Sequence, residues 1–260
     1  MSMPATAIPR SLGAEPAPFQ IRQMQLSDIR AALAAGYGDL VACRTDALLM
    51  AVIFPVAGVL IAGIFVLQNL LPFVFPLCAG FALVGPLATL WFAALSRQRE
   101  RGEESAVAVF RQPRLASIQR LALLVVLLYV AWNLVAAAIY FGTFGSLPAS
   151  DASFIERVFT TGAGWGLIVL GCAAGAVFAA VVLVVSFISF PMVIDRDVTA
   201  AQAVATSVQA MRRNPGFVLA WGGVVAAGLF LGSLPGLFGL VIVLPVLGHA
   251  SWHIYRRMVG

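Results

Sequence analysis

Lysine is missing altogether, and charge of either sign is scarce: 10 % of the 260 residues are charged. A soluble domain carries about a quarter charged residues and roughly half apolar ones. At 61 % hydrophobic, this chain has more apolar surface than a water-facing globule of its size can bury. Cysteine is limited to Cys43, Cys78 and Cys172, with no C-x-x-C. That scatter excludes a disulfide framework and a zinc-finger spacing. Histidine is limited to His249 and His253. The net charge of +5 comes entirely from arginine surplus. No arginine run interleaves with aromatics, which excludes a nucleic-acid footprint. Residues 1–45 hold no apolar run behind a basic start, so no cleavable signal peptide is expected.

Long apolar stretches dominate the chain. Ala47–Ser96, Leu121–Ser150, Val158–Ile194 and Asn214–Tyr255 contain no Asp, Glu or Arg. A spanning helix needs about 20 such residues. The first and last runs each hold two spans, punctuated by Gln68-Asn69 and Pro72, and by Gly232-Ser233, Pro235 and Gly236. The reading is an all-α, polytopic membrane protein with six transmembrane helices. They run over about 47–67, 73–95, 121–142, 165–190, 216–233 and 237–255. Residues 1–25 read as a flexible cytoplasmic tail, and 26–260 as one transmembrane domain. With the N-terminus inside, every arginine except Arg157 falls on the inner side. The positive-inside rule therefore places both termini in the cytoplasm. The all-arginine basic set fits a GC-rich bacterial genome, and with it a bacterial inner membrane is expected.

Amphipathic stretches precede the odd-numbered spans and are expected to be interfacial helices on the inner side. Ile29, Leu33, Tyr37 and Leu40 oppose Asp28, Arg30 and Asp39. Val107, Phe110 and Ile118 alternate with Arg111, Arg114 and Arg120. Ala201, Val204, Val208 and Met211 form an apolar stripe against Gln202, Thr206, Gln209 and Arg213. Thr199 and Gln202 form a capping box that starts the third of these helices. Asn214-Pro215 ends it.

Gly85-Pro86 in the second span is followed by Ser96-Arg97, Glu100 and Gly102. The last span closes with Gly248-His249-Ala250-Ser251-Trp252-His253-Ile254-Tyr255-Arg256. Together these resemble the bacterial predicted integral membrane proteins of domain of unknown function 2189, over about residues 25–258. The resemblance implies a membrane location and carries no settled biochemical role.

His249 and His253 lie four apart, on one helix face. Two imidazoles at that spacing can share a metal ion, but a site needs further ligands, and no carboxylate lies in a span. Cys78 or Cys172 are the only side chains that could add to them. One haem needs axial ligands from opposite sides, which this pair cannot supply. No metal and no cofactor is expected. Instead His249 is expected to hydrogen-bond within the bundle, with His253, Trp252 and Tyr255 at the headgroup level.

Asn133 is expected to bond between helices. Pro55, Pro76, Pro86 and Pro245 read as kinks. Small residues recur at four-residue spacing (Gly58/Ala62, Gly171/Gly175, Gly223/Ala227) and suit a tight bundle or a contact between copies. There is no nucleophile elbow, no carboxylate pair and no phosphate loop, so no enzyme is expected. The expected partners are the lipid bilayer and another membrane complex or further copies of the chain. The first functional expectation is an accessory or scaffold subunit. The alternatives are a small-solute channel or transporter and, more weakly supported, a metal or haem protein using His249 and His253.

Overall fold

The computed structural model describes residues 19–67, 76–77, 85–111, 113–145 and 153–259. The tail through residue 18, the Gln68–Pro72 turn, Cys78 and most of the first half of the second expected span lie outside them.

The described chain is helical. It runs α1 (Ser27–Ala42), α2 (Arg44–Leu67), α3 (Gly85–Arg101), a 3-10 turn (Ala106–Phe110), α4 (Arg114–Phe144), α5 (Ser153–Thr160), α6 (Gly162–Ser186), α7 (Ser189–Asp195), α8 (Ala200–Arg213), α9 (Pro215–Ser233) and α10 (Leu240–Met258). Local sequence sets most ends. Thr199 caps α8 in a full capping box with Gln202. Asn214 closes α8, and Pro215 opens α9 at the position where its missing N–H costs nothing. Gly102 and Gly145 follow α3 and α4 with φ of 65° and 64°, a conformation glycine takes without strain. Pro55 and Pro245 lie inside continuous helices, whereas Pro86 sits in the first turn of α3.

Four of these stretches are long and apolar enough to cross a membrane: Thr45–Ile64, Arg114–Phe144, Gly162–Asp195 and Pro215–Ser233. Only 6–22 % of the residues in their most apolar windows are buried by protein. Their apolar surface therefore faces outward, toward lipid. In α10 the second half carries His249, His253, Arg256 and Arg257, which lowers its hydropathy.

The dense core sits at the end of the bundle where charge collects. Phe92, Ala93 and Ala94 of α3, Ile188, Phe190, Met192, Val193 and Ile194 around α7, and Trp252, Ile254 and Tyr255 of α10 are completely buried there. α7 is a short second piece of the α6 rod, and every residue of it is buried. The break between them frees backbone groups. Ser207 of α8 satisfies two: its hydroxyl donates to the Val184 carbonyl (2.7 Å) and accepts from the Ile188 N–H (3.1 Å).

Several expectations change. Residues 21–25 are not a free tail. Ile21 pairs antiparallel with Val259, the Arg22 N–H donates to the Met258 carbonyl (2.8 Å), and the Met24 N–H donates to Asn214 Oδ1 (2.9 Å). Backbone donors this close to the bundle take partners from it rather than from water. In α1, Asp39 is buried at 5 % exposure while Tyr37 stands 58 % exposed, the reverse of the expected faces. In α8, Thr206 is buried with Ala203, Ser207 and Ala210. Small side chains there let α8 approach the α6–α7 break, and hydrogen bonds offset their polarity. Val107 points outward, and Val109 takes its place in the core. Asn133 bonds its own helix, donating to the Tyr129 carbonyl (2.9 Å) rather than across a helix pair.

Candidate functional site

Two glycines bring three helices together at the charged end. A Cβ on Gly36 of α1 would lie 2.7 Å from the Ala250 nitrogen and the Val246 oxygen of α10. A Cβ on Gly248 of α10 would lie 2.4 Å from the Phe92 ring of α3. At Gly36 the backbones of α1 and α10 meet closely, and at Gly248 the Phe92 side chain of α3 seats against the α10 backbone. One turn after Gly36, Asp39 is carried over the α3–α10 seam.

Asp39 is the hub of a polar network at this seam. Its Oδ2 accepts from the Ser96 hydroxyl (2.6 Å) and from His253 Nε2 (2.8 Å). Its Oδ1 is paired with Arg99. The Ser96 oxygen also meets His249 Nδ1 at 2.7 Å. Because Ser96 gives its proton to the carboxylate, His249 serves as donor to Ser96 through Nδ1–H. His249 is fully buried, and His253 keeps 26 % side-chain exposure. Burial alone would raise the Asp39 pKa. Hydrogen bonds from His253 and Ser96 and the nearby imidazole charge outweigh it and hold the carboxyl at about 2. Burial and the Asp39 charge together push the neighbouring Cys43 thiol up.

A second carboxylate, Asp195 at the end of α7, is 1 % exposed. Its Oδ2 accepts from the Tyr255 hydroxyl (2.7 Å), and Arg101 pairs with its Oδ1. Arg196 and Arg256 lie 3.5 Å away. Glu100 joins this group, accepting from Trp252 Nε1 (2.8 Å) and Arg256 Nε (2.9 Å). Arg97 pairs with Glu103 at 2.7 Å.

Most of the residues singled out from sequence therefore converge. Ser96, Arg97, Glu100, His249, Trp252, His253 and Arg256 lie in these networks, and Gly102 follows the helix that carries the first three of them. Gly85, Pro86 and Asn133 lie elsewhere; the Pro86 carbonyl accepts from Thr89 (2.6 Å). Sequence reasoning missed the two hubs, Asp39 and Asp195. A signal existed for Asp39: Ala32 and Gly36 precede it by seven and three residues, a small-residue stripe that marks close helix contact.

The chemistry of the Asp39 group follows from its order. In hydrolytic triads the imidazole stands between hydroxyl and carboxylate. Here the hydroxyl stands between carboxylate and imidazole, and Ser96 is 2 % exposed. Its proton is committed to Asp39, so it is not set up to attack an acyl group. Among the described residues no group of three His, Cys, Asp or Glu side chains is placed to hold a metal ion. Cys172 is exposed on α6, on the wall of a separate cavity.

That cavity, about 670 Å³, opens between α3, α4, α6, α9 and α10. Ala88, Trp132, Gly175, Ala179, Gly222 and Gly248 line it among others, and its walls are mainly apolar.

Residues 74–195 match the DUF2189 family, described as "Predicted integral membrane protein". The chain is accordingly an integral, multi-pass membrane protein. The DUF2189 segment contains Gly85, Pro86, Ser96, Arg97, Glu100, Gly102, Asn133 and Asp195. Asp39 and the α10 histidines lie outside it, so the matched stretch is narrower than the 25–258 resemblance read from the residues. No curated protein and no solved structure matches the chain.

Proposed function

We propose that this DUF2189-containing protein is a non-catalytic accessory or scaffold subunit of a bacterial inner membrane, with six spans and both ends cytoplasmic. One observation carries the reading. The acids, imidazoles and hydroxyl that could do chemistry at the charged end are engaged with one another, clamping α1, α3, α7 and α10 together. A buried polar network whose members satisfy one another favours one arrangement of helices over its alternatives. The outward apolar faces of the spanning helices leave surface for lipid or a membrane partner. Arginine on one side of the spans supports the orientation.

The test is affinity purification from native membranes in mild detergent, read by mass spectrometry. One stoichiometric partner complex is expected. Repeated recovery of the protein alone overturns the accessory role. Reporter fusions in the loops after Arg101 and after Ser233 test the orientation: the first is expected inside, the second outside.

The apolar cavity favours a second reading, a channel or transporter for a small, weakly polar solute. Proton-free uptake of such a solute into vesicles, blocked by Gly222→Trp inside the cavity, is the outcome that would favour it over the scaffold.

A further inference from the structure

α1 has two apolar faces, and among the described residues the bundle uses one of them. Ile29, Ala32, Gly36 and Leu40 are buried. On the other side Leu26, Arg30, Ala34, Tyr37 and Val41 are exposed, spaced three or four residues apart and so on one stripe. Leu26, Tyr37 and Val41 are 63, 58 and 56 % exposed, three large apolar side chains on one stripe.

Within and just before α1 the free charge is basic, and the next exposed acid along the chain is Asp46 in the first turn of α2. The acids of α1 are occupied: Asp39 is buried, and Asp28 lies 3.9 Å from Arg257. Arg30 on the stripe and Arg22 just before it are exposed, with no carboxylate within ion-pair distance among the described residues. The stripe also runs into lipid-facing surface. Val41 is four residues before the spanning stretch that starts at Thr45, and Leu49, Val52 and Ile53 continue the exposed apolar side there.

We propose that this second face of α1 lies in the inner-leaflet interface, with Leu26, Tyr37 and Val41 among the upper acyl chains and Arg22 and Arg30 on anionic phospholipid headgroups. The choice of leaflet rests on the proposed cytoplasmic placement of both chain ends; bilayer contact does not. An aromatic ring and arginines beside an apolar stripe suit the boundary between headgroup and chain. Unpaired arginines there favour anionic over zwitterionic lipid.

The experiment uses the full chain with Cys43, Cys78 and Cys172 changed to serine. It is reconstituted into vesicles of phosphatidylethanolamine with phosphatidylglycerol. Nitroxides are placed by Tyr37→Cys and Val41→Cys, with Glu104→Cys as the exposed comparator, and Ala34→Cys replaces either label that prevents folding. Collision with oxygen is expected to exceed collision with an aqueous nickel chelate at 37 and 41, and the reverse at 104. Labels at 37 and 41 that behave like 104 put the face in water and overturn the proposal. Labels reached by neither reagent mean that protein covers it, which also overturns it. In wild type, spin-labelled phosphatidylglycerol is expected to be retained over phosphatidylcholine. Removing Arg22 and Arg30 as R22Q and R30Q is expected to weaken that preference, up to about fivefold per arginine. An unchanged preference removes the headgroup part. If the depth readings hold while the loop reporters lie on the opposite sides, the orientation fails and the bilayer contact stands.

Discussion

Gly36 of α1 lies so close to Ala250 of α10 that a β-carbon at position 36 would sit 2.7 Å from the Ala250 nitrogen. The obstacle is backbone on a packed helix, which cannot swing aside as a flexible side chain would. Gly36→Ala is expected to push α1 outward and cost about 1–3 kcal/mol. Gly38→Ala, where nothing lies within 4 Å, is expected to be neutral or slightly stabilising through helix propensity. Thermal unfolding of the two variants in detergent separates them.

Removal of the Asp39 charge leaves Ser96, His253 and Arg99 without their shared acceptor. Asp39→Ala is expected to destabilise by about 3 kcal/mol, because the partners of a buried charge are left behind. Arg99→Gln is expected to cost well under 1 kcal/mol, since half of that side chain is solvated. A double-mutant cycle with Ser96→Ala measures the coupling. A coupling energy near zero would contradict the geometry.

The same carboxyl sets a pH dependence. Its folded pKa of about 2 lies below the ordinary 3.8. A depressed acid binds fewer protons folded than unfolded, so its contribution is full above pH about 4 and is lost as pH falls through 2. The loss amounts to about 2 kcal/mol. Unfolding midpoints from pH 6 to pH 2 are expected to fall more steeply for wild type than for Asp39→Asn. Parallel curves would count against Asp39 as the source.

Ser207 answers two backbone groups exposed by the α6–α7 break. Ser207→Ala would leave the Val184 carbonyl and the Ile188 N–H without that partner in a buried place. The expected cost is about 2–3 kcal/mol. Thr199→Ala, which removes only the exposed cap of α8, is expected to cost about 1 kcal/mol. Chemical denaturation of both variants checks the order.

Spans were readable because the bilayer makes one demand that sequence shows directly, a long run without charge. α2, α4, α6 and α9 lie where such runs predict them. Thr199, Gln202, Asn214 and Pro215 act locally, and their roles were equally legible. Helix faces were not. Periodicity assigns polar residues to water, yet Asp39 and Thr206 are buried by partners from elsewhere in the chain. The candidate site was half visible for the same reason. His249, Ser96 and Glu100 stand out as polar groups beside apolar spans, whereas Asp39 and Asp195 become hubs only through contacts made in three dimensions.

Asp39 and His253 are 214 positions apart. α1 therefore leaves the ribosome well before its docking partner, α10. Until then the Asp39 carboxylate must remain hydrated, and Gly36 has no backbone to rest against. The strand-like pairing of Ile21 with Val259 forms later still. The fold thus closes on itself only once α10 has been made, and a product truncated before α10 lacks the means to shelter the polar face of α1.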